Sequence, residues 1–159
     1  MFKYCRLPQW CLVIVPLLWI SACAVLNGDP SVGREARADA VIKDRGWLLL
    51  RFDATEGGDS YSTGASDFYT LTLLANGSYR VRADCNRMQG AYRLESEQRI
   101  AITPGAATLA ECGPDSHYSR YLRQLTDVRQ FEVIEKTGQL KLITSKGQLI
   151  FDHAEHEAP

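Results

Sequence analysis

Five cysteines and three histidines are the side chains of this 159-residue chain best suited to covalent, redox or metal chemistry. Their spacing narrows the options. Cys5, Cys11 and Cys23 crowd the N-terminus, Cys85 and Cys112 stand apart within the chain, and His117, His153 and His156 lie toward its end. His153-Ala154-Glu155-His156 superficially matches a metal pair, but zinc requires further ligands on an ordered element, and the sequence puts these residues in a polar tail. Serine, histidine and aspartate all occur, with no Gly-x-Ser-x-Gly elbow to activate a serine. Asp84, Glu95, Glu97 and Glu111 could pair for acid and base work, yet they fall at strand edges and turns, where carboxylates are solvated. Gly57-Gly58, inside the Asp53 to Asp67 loop, lacks the helix start and lysine of a phosphate cradle. The sequence therefore predicts no catalytic residues, no metal and no cofactor.

The cysteines carry a different message. Lys3 and Arg6 precede an apolar stretch from Leu12 to Ile20, broken only by Pro16, and Ser21-Ala22-Cys23 follows it. That order of basic, apolar and small residues before a thiol resembles the lipobox of a bacterial lipoprotein signal peptide, with residues 1–22 removed. Cys23 would then carry the lipid, and several acyl chains suffice for stable anchoring. Ala24 instead of aspartate after the cysteine favours the outer membrane, with the domain facing the periplasm. Cys5 and Cys11 leave with the signal. An exported chain meets an oxidising compartment, so Cys85 and Cys112 are expected to form a disulfide, with two separately buried thiols as the alternative.

Charge sets a further bound. Removing Lys3 and Arg6 from 18 basic side chains leaves two fewer, against 19 acidic ones. Such a balance predicts no nucleic-acid surface.

These groups must be positioned by the elements that follow. Residues 23–43 hold Gly28, Asp29, Pro30, Ser31 and Gly33 and read as a lipidated tether, with a helical turn or two around Glu35 to Ala40. Trp47 to Phe52 suits a strand, and Thr55 to Ser66 a mobile loop. Tyr69, Leu71 and Leu73 alternate with threonines, Asn76-Gly77 signals a type I′ turn, and Tyr79, Val81 and Ala83 alternate with charged residues. Cys85 shares their parity, which predicts a sulfur aimed at the core. Tyr92 with Leu94 and Ile100 with Ile102 suggest two more strands, the second stopped by Pro104-Gly105. Tyr118, Tyr121, Leu122, Leu125 and Val128 then fall at helical spacing, with Arg120, Arg123 and Gln124 outward and Asp115 or Ser116 as cap. Phe131 and Val133, Leu140 and Leu142, and Leu149 and Phe151 give three final strands, split by Thr137-Gly138 and Lys146-Gly147. About eight short strands and one amphipathic helix predict a mainly β (α+β) fold, a small antiparallel barrel or half-barrel with one packed α-helix. Tyr61, Tyr69, Tyr79 and Tyr92 are read as cross-strand packing, with a recognition face as the alternative.

One run is more specific. Cys85-Asn86-Arg87-Met88-Gln89-Gly90, followed by Tyr92, then Pro104, Ala107 and Thr108, then Cys112, resembles the META/HslJ-like domain of bacterial envelope lipoproteins. The likeness spans residues 44–152, leaving 153–159 as a polar tail. Asp84 departs from the glycine that such domains place before the first cysteine. The resemblance implies a β-rich envelope domain loosely linked to stress and antibiotic tolerance, and no catalytic residues. In the motif, Asn86 suits an irregular backbone, Gly90 permits positive φ or close chain approach, and Arg87 either ties loop carbonyls or offers a binding contact. The expected function is non-catalytic contact with another envelope protein. A lipocalin-like carrier and an inhibitor of a lytic enzyme are the alternatives.

Overall fold

Alternating apolar positions build the strands that dominate this fold. The computed structural model of the protein describes residues 30–55 and 57–154; Cys23, the segment before it and His156 lie outside the described residues. Helix α1 (Pro30–Ile42) leads into β1 (Arg45–Ala54), β2 (Tyr61–Ser62), β3 (Tyr69–Leu73), β4 (Ser78–Ala83), β5 (Asn86–Glu95) and β6 (Arg99–Ala107). Helix α2 (Tyr118–Thr126) precedes β7 (Val128–Ile134), β8 (Gln139–Thr144) and β9 (Gly147–His153). Eight of these strands, all but β2, pair antiparallel in chain order, and β9 returns to β1 to close a barrel. The short β2 pairs with β1 beyond the end of β3.

An eight-stranded barrel has an interior just wide enough for side chains to fill. Trp47, Tyr79, Tyr121, Phe131 and Phe151 occupy it fully buried, together with a set of leucines. The four tyrosines at 61, 69, 79 and 92 are all buried among them. They pack; they present no recognition face. Burying an aromatic side chain contributes about 1.5–3 kcal/mol each, so this filling is a principal source of stability.

Several sequence expectations need correction. Residues 30–42 form a full helix, longer than a turn or two, whose last residue Ile42 is buried and whose Ile42 carbonyl accepts the Trp47 Nε1–H at 3.1 Å. Asn76-Gly77 is not a type I′ turn, because only Gly77 has positive φ (81°). Gly77 N donates to the Leu74 carbonyl and Leu74 N to that of Ser78, so a three-residue loop ends in a left-handed glycine. Strand β6 runs through Pro104-Gly105 to Ala107. Proline lacks an N–H and is tolerated at a sheet edge, and here β7 meets β6 only at Arg99 and Gln130, leaving the Pro104 side open. Of the two cap candidates, Ser116 serves: its Oγ accepts the Tyr118 N–H at 3.3 Å, while Tyr69 Oη accepts the His117 N–H at 2.9 Å and the N-cap residue His117 itself makes no side-chain cap bond. The Thr55 to Ser66 loop is strapped down: Tyr61 Oη donates to Gln124, and Arg120 donates to the Asp59 carbonyl. The last strand includes His153, whose ring stacks on Trp47.

Register divides the barrel into two mouths. At the first lie Ile42, the β3–β4 loop and His153, since Arg45 pairs with Leu73 and Trp47 with His153. At the second lie Ala54, the β4–β5 turn, the end of β6 and the β8–β9 turn. Helix α2 plugs that second mouth with Tyr121, Leu122 and Leu125.

Candidate functional site

The motif residues gather at the second mouth, beginning with a turn. Ala83 pairs with Asn86, leaving Asp84-Cys85 as a two-residue connection. Asp84 has φ of 59° and Cys85 has no positive φ. Positive φ at the first central residue alone is the pattern of a type II′ turn, which favours glycine there. Asp84 thus occupies a glycine position, consistent with its departure from the usual motif. The turn also breaks strand parity. Cys85 is exposed, against the expectation of a core-facing sulfur, and Asn86 takes the inward place.

Asn86 is fully buried and works as a hub. Its Nδ2 donates to the Ala110 carbonyl at 2.8 Å and lies 3.1 Å from Cys112 Sγ. Its Oδ1 accepts from Ala110 N at 2.8 Å and from the Thr108 hydroxyl at 3.0 Å. A buried carboxamide satisfied at both ends holds the returning loop as a turn of secondary structure would. The Cys85–Cys112 disulfide clamps the same loop across 27 residues of sequence.

Gly90 serves close approach and not positive φ. A Cβ there would sit 2.3 Å from the Thr103 carbonyl oxygen and 2.8 Å from the Tyr79 ring. The Tyr79 hydroxyl behind it is the buried side-chain polar atom left without a partner among the described residues. Burial pushes this phenol, like those of Tyr61 and Tyr121, above the usual tyrosine range, so all three stay neutral.

Arg87 points away from this hub. Its backbone N–H and carbonyl both engage Thr108, whereas its guanidinium has no hydrogen bond or ion pair among the described residues. The tying of carbonyls falls to Asn86. Arg87 instead lines a groove of about 350 Å³ with Arg80, Gln89 and the exposed Ala106 and Ala107 of β6, while Val81 and Met88, which border it, are buried in the core. Two cations beside an exposed alanine surface can hold an anionic or polar group whose remainder is apolar.

The other residues weighed for chemistry are dispersed. Glu95 is held by Arg93 and Arg99, and Glu111 accepts from Tyr118 Oη. His117 packs at a tilt against Tyr61, and His153 stacks on Trp47. Among the described residues, no three His, Cys, Asp or Glu side chains converge to hold a metal ion.

The sequence matches the META domain over residues 40–156. The chain belongs to the META domain family. The fold agrees with solved structures: a protein from Burkholderia xenovorans, determined by NMR, is 24% identical with a TM-score of 0.61, covering 76% of this chain and 88% of that one. A duf4847 family protein from Bacteroides vulgatus ATCC 8482, determined by crystallography, is 9% identical with a TM-score of 0.54, covering 76% and 99%. No curated protein matches the sequence. Within this META domain the sequence motif locates the pinned loop correctly, while the cleft beside Arg87 has no local signature, because strands β4, β5 and β6 assemble it jointly.

Proposed function

We propose that this META-domain chain is a non-catalytic, lipid-anchored module of the cell envelope that acts by contacting another envelope component through the Arg87 groove. Cys23 carries the lipid in this reading and holds the domain on the periplasmic side of the outer membrane. The Lys3-to-Cys23 pattern supports the anchor, and an internal disulfide fits an oxidising compartment. The likeness to META/HslJ-like lipoproteins supports a part in stress or antibiotic tolerance. One observation carries the contact reading: a guanidinium with no hydrogen bond or ion pair among the described residues stands beside exposed Ala106 and Ala107 next to a doubly pinned loop. Ordering costs are already met there, so a partner binds without first having to fix the surface.

A second reading, inhibition of a lytic enzyme, draws on Leu109, which is 77% exposed on that same pinned loop. A carrier of lipocalin type needs an open interior, and the filled barrel does not support it.

The test places a photo-crosslinking amino acid at position 87 or, as control, at Arg93 in intact cells. A discrete adduct from position 87, lost with Ala107→Glu on the exposed groove wall, supports the contact reading. No adduct, or the same adducts from both positions, overturns it. Cys23→Ala should release the protein from the membrane fraction, and unchanged fractionation would refute the anchor.

A further inference from the structure

A second cleft of about 350 Å³ opens at the same mouth, between α2 and the β8–β9 turn. Arg120, Arg123, Gln124, Asp127, Ser145 and Lys146 line it. Arg120 and Arg123 share a helix face at i and i+3, and Lys146 faces them from the turn. We propose that this cleft binds a phosphate group.

Its hydrogen-bonding inventory is one-sided. Asp127 supplies the one carboxylate, and that group is already used: Oδ2 accepts from the Ser145 amide and hydroxyl, and Oδ1 from Arg129 at 3.3 Å. The Ser145 hydrogen bonds, with Arg129 and Lys146 nearby, hold the Asp127 carboxyl below the usual range. It remains an anion that braces the turn against the end of α2. Gln124 Oε1 accepts the Tyr61 hydroxyl at 2.7 Å, which leaves its NH₂ to donate. Ser145 spends its hydroxyl proton on Asp127. What remains for a ligand is donors: the Arg123 guanidinium, the Lys146 ammonium, the Gln124 amide and the unused N–H groups of Arg120. A cleft with three cations against one carboxylate already engaged by Ser145 and Arg129 favours an anion, and phosphate, with its extra oxygens and charge, satisfies more of these donors than a carboxylate does.

The cleft is also partly preorganised. The Arg120 guanidinium lies 4.8 Å from the Tyr61 ring centroid and donates to the Asp59 carbonyl at 2.6 Å, so its position is set before any ligand arrives. The volume exceeds that of a lone phosphate and leaves room for an organic substituent. Either a soluble phosphomonoester or a lipid headgroup presents this chemistry.

Two arms separate these sources. ¹⁵N-labelled protein is titrated with inorganic pyrophosphate, and sedimentation is measured with phosphatidylcholine vesicles with or without phosphatidic acid. Expected in the first arm are saturable amide shifts at Arg123, Gln124, Ser145 and Lys146, weakening with salt. Arg123→Gln combined with Lys146→Gln should lower affinity at least about tenfold, whereas the equally charged control Arg93→Gln with Arg99→Gln should change it less than about twofold. Pyrophosphate binding of this kind supports a soluble phosphate ligand; binding confined to phosphatidic acid vesicles, with the same dependence on Arg123 and Lys146, supports a headgroup. Absence of binding in both arms, or equal losses in the two double variants, overturns the proposal. All four substituted positions lie on the surface, and an unchanged melting temperature verifies folding.

Discussion

Replacing Cys85 and Cys112 by serine together should destabilise the barrel by about 3.5 kcal/mol, through the unfolded chain more than the folded one. The bridge closes 27 residues. In the chain-entropy treatment, a loop of that size removes roughly 12 cal/mol/K from the denatured ensemble, which gives the quoted figure near room temperature. The folded side of the balance is nearly silent here: Cys85 is exposed and Cys112 half-buried, so serine creates no buried hydroxyl. Nor does the loop come free, because Asn86 still grips Thr108 and Ala110. With a slope of about 4 °C per kcal/mol for a domain of this size, the melting temperature should fall by roughly 12–16 °C. Calorimetry on the oxidised protein and the double serine variant measures this directly. Guanidinium titration should also show a steeper slope in the variant, since an uncrosslinked chain exposes more surface when it unfolds. A fall below about 4 °C, or an unchanged slope, would refute the assignment of the bridge to loop constraint.

Three further outcomes follow from individual residues. Gly90→Ala pushes a methyl into the Thr103 carbonyl and the Tyr79 ring and should cost about 2–3 kcal/mol in urea unfolding; a wild-type midpoint would contradict the close packing. Asp84→Gly relieves a left-handed aspartate and should raise stability by about 0.5–1 kcal/mol, so a loss in the same assay would argue against the turn geometry. Asp127, whose folded pKa is depressed, adds stability that is complete above the carboxylate's unfolded value and disappears as pH falls through the folded one. Unfolding midpoints from neutral to acid pH should therefore drop less for Asp127→Asn than for the parent, and parallel curves would exclude this linkage.

Periodicity made the β3–β4 hairpin legible, because its apolar side chains alternate without interruption and Leu71 does oppose Val81. It failed where the backbone slips. A bulge between Leu49 and Arg51 reverses parity, so Trp47 and Leu49 point inward at odd positions and Phe52 at an even one. Pro104 signals a stop because proline cannot donate to a ladder, an argument that lapses at an open edge. The Asp84-Cys85 turn carries no glycine to announce it, so strand parity misplaces the Cys85 sulfur. At the motif, Cys85, Asn86 and Cys112 were identifiable from their order alone. The phosphate cleft was not: Arg120 and Arg123 looked like an ordinary solvated helix face until the distant Ser145-Lys146 turn was folded against them.

The pairing of Trp47 with His153 places the barrel's entry and exit side by side, beneath Ile42. Both ends of the folded part can therefore be joined or immobilised without burdening the opposite rim. A linker from His153 back to the start of α1, keeping the buried Ile42, with new termini cut in the Lys136 to Gly138 turn, offers a circular permutant whose groove and cleft stay untouched. On a sensor chip coupled through the C-terminal tail, both cavities would face the flowing analyte.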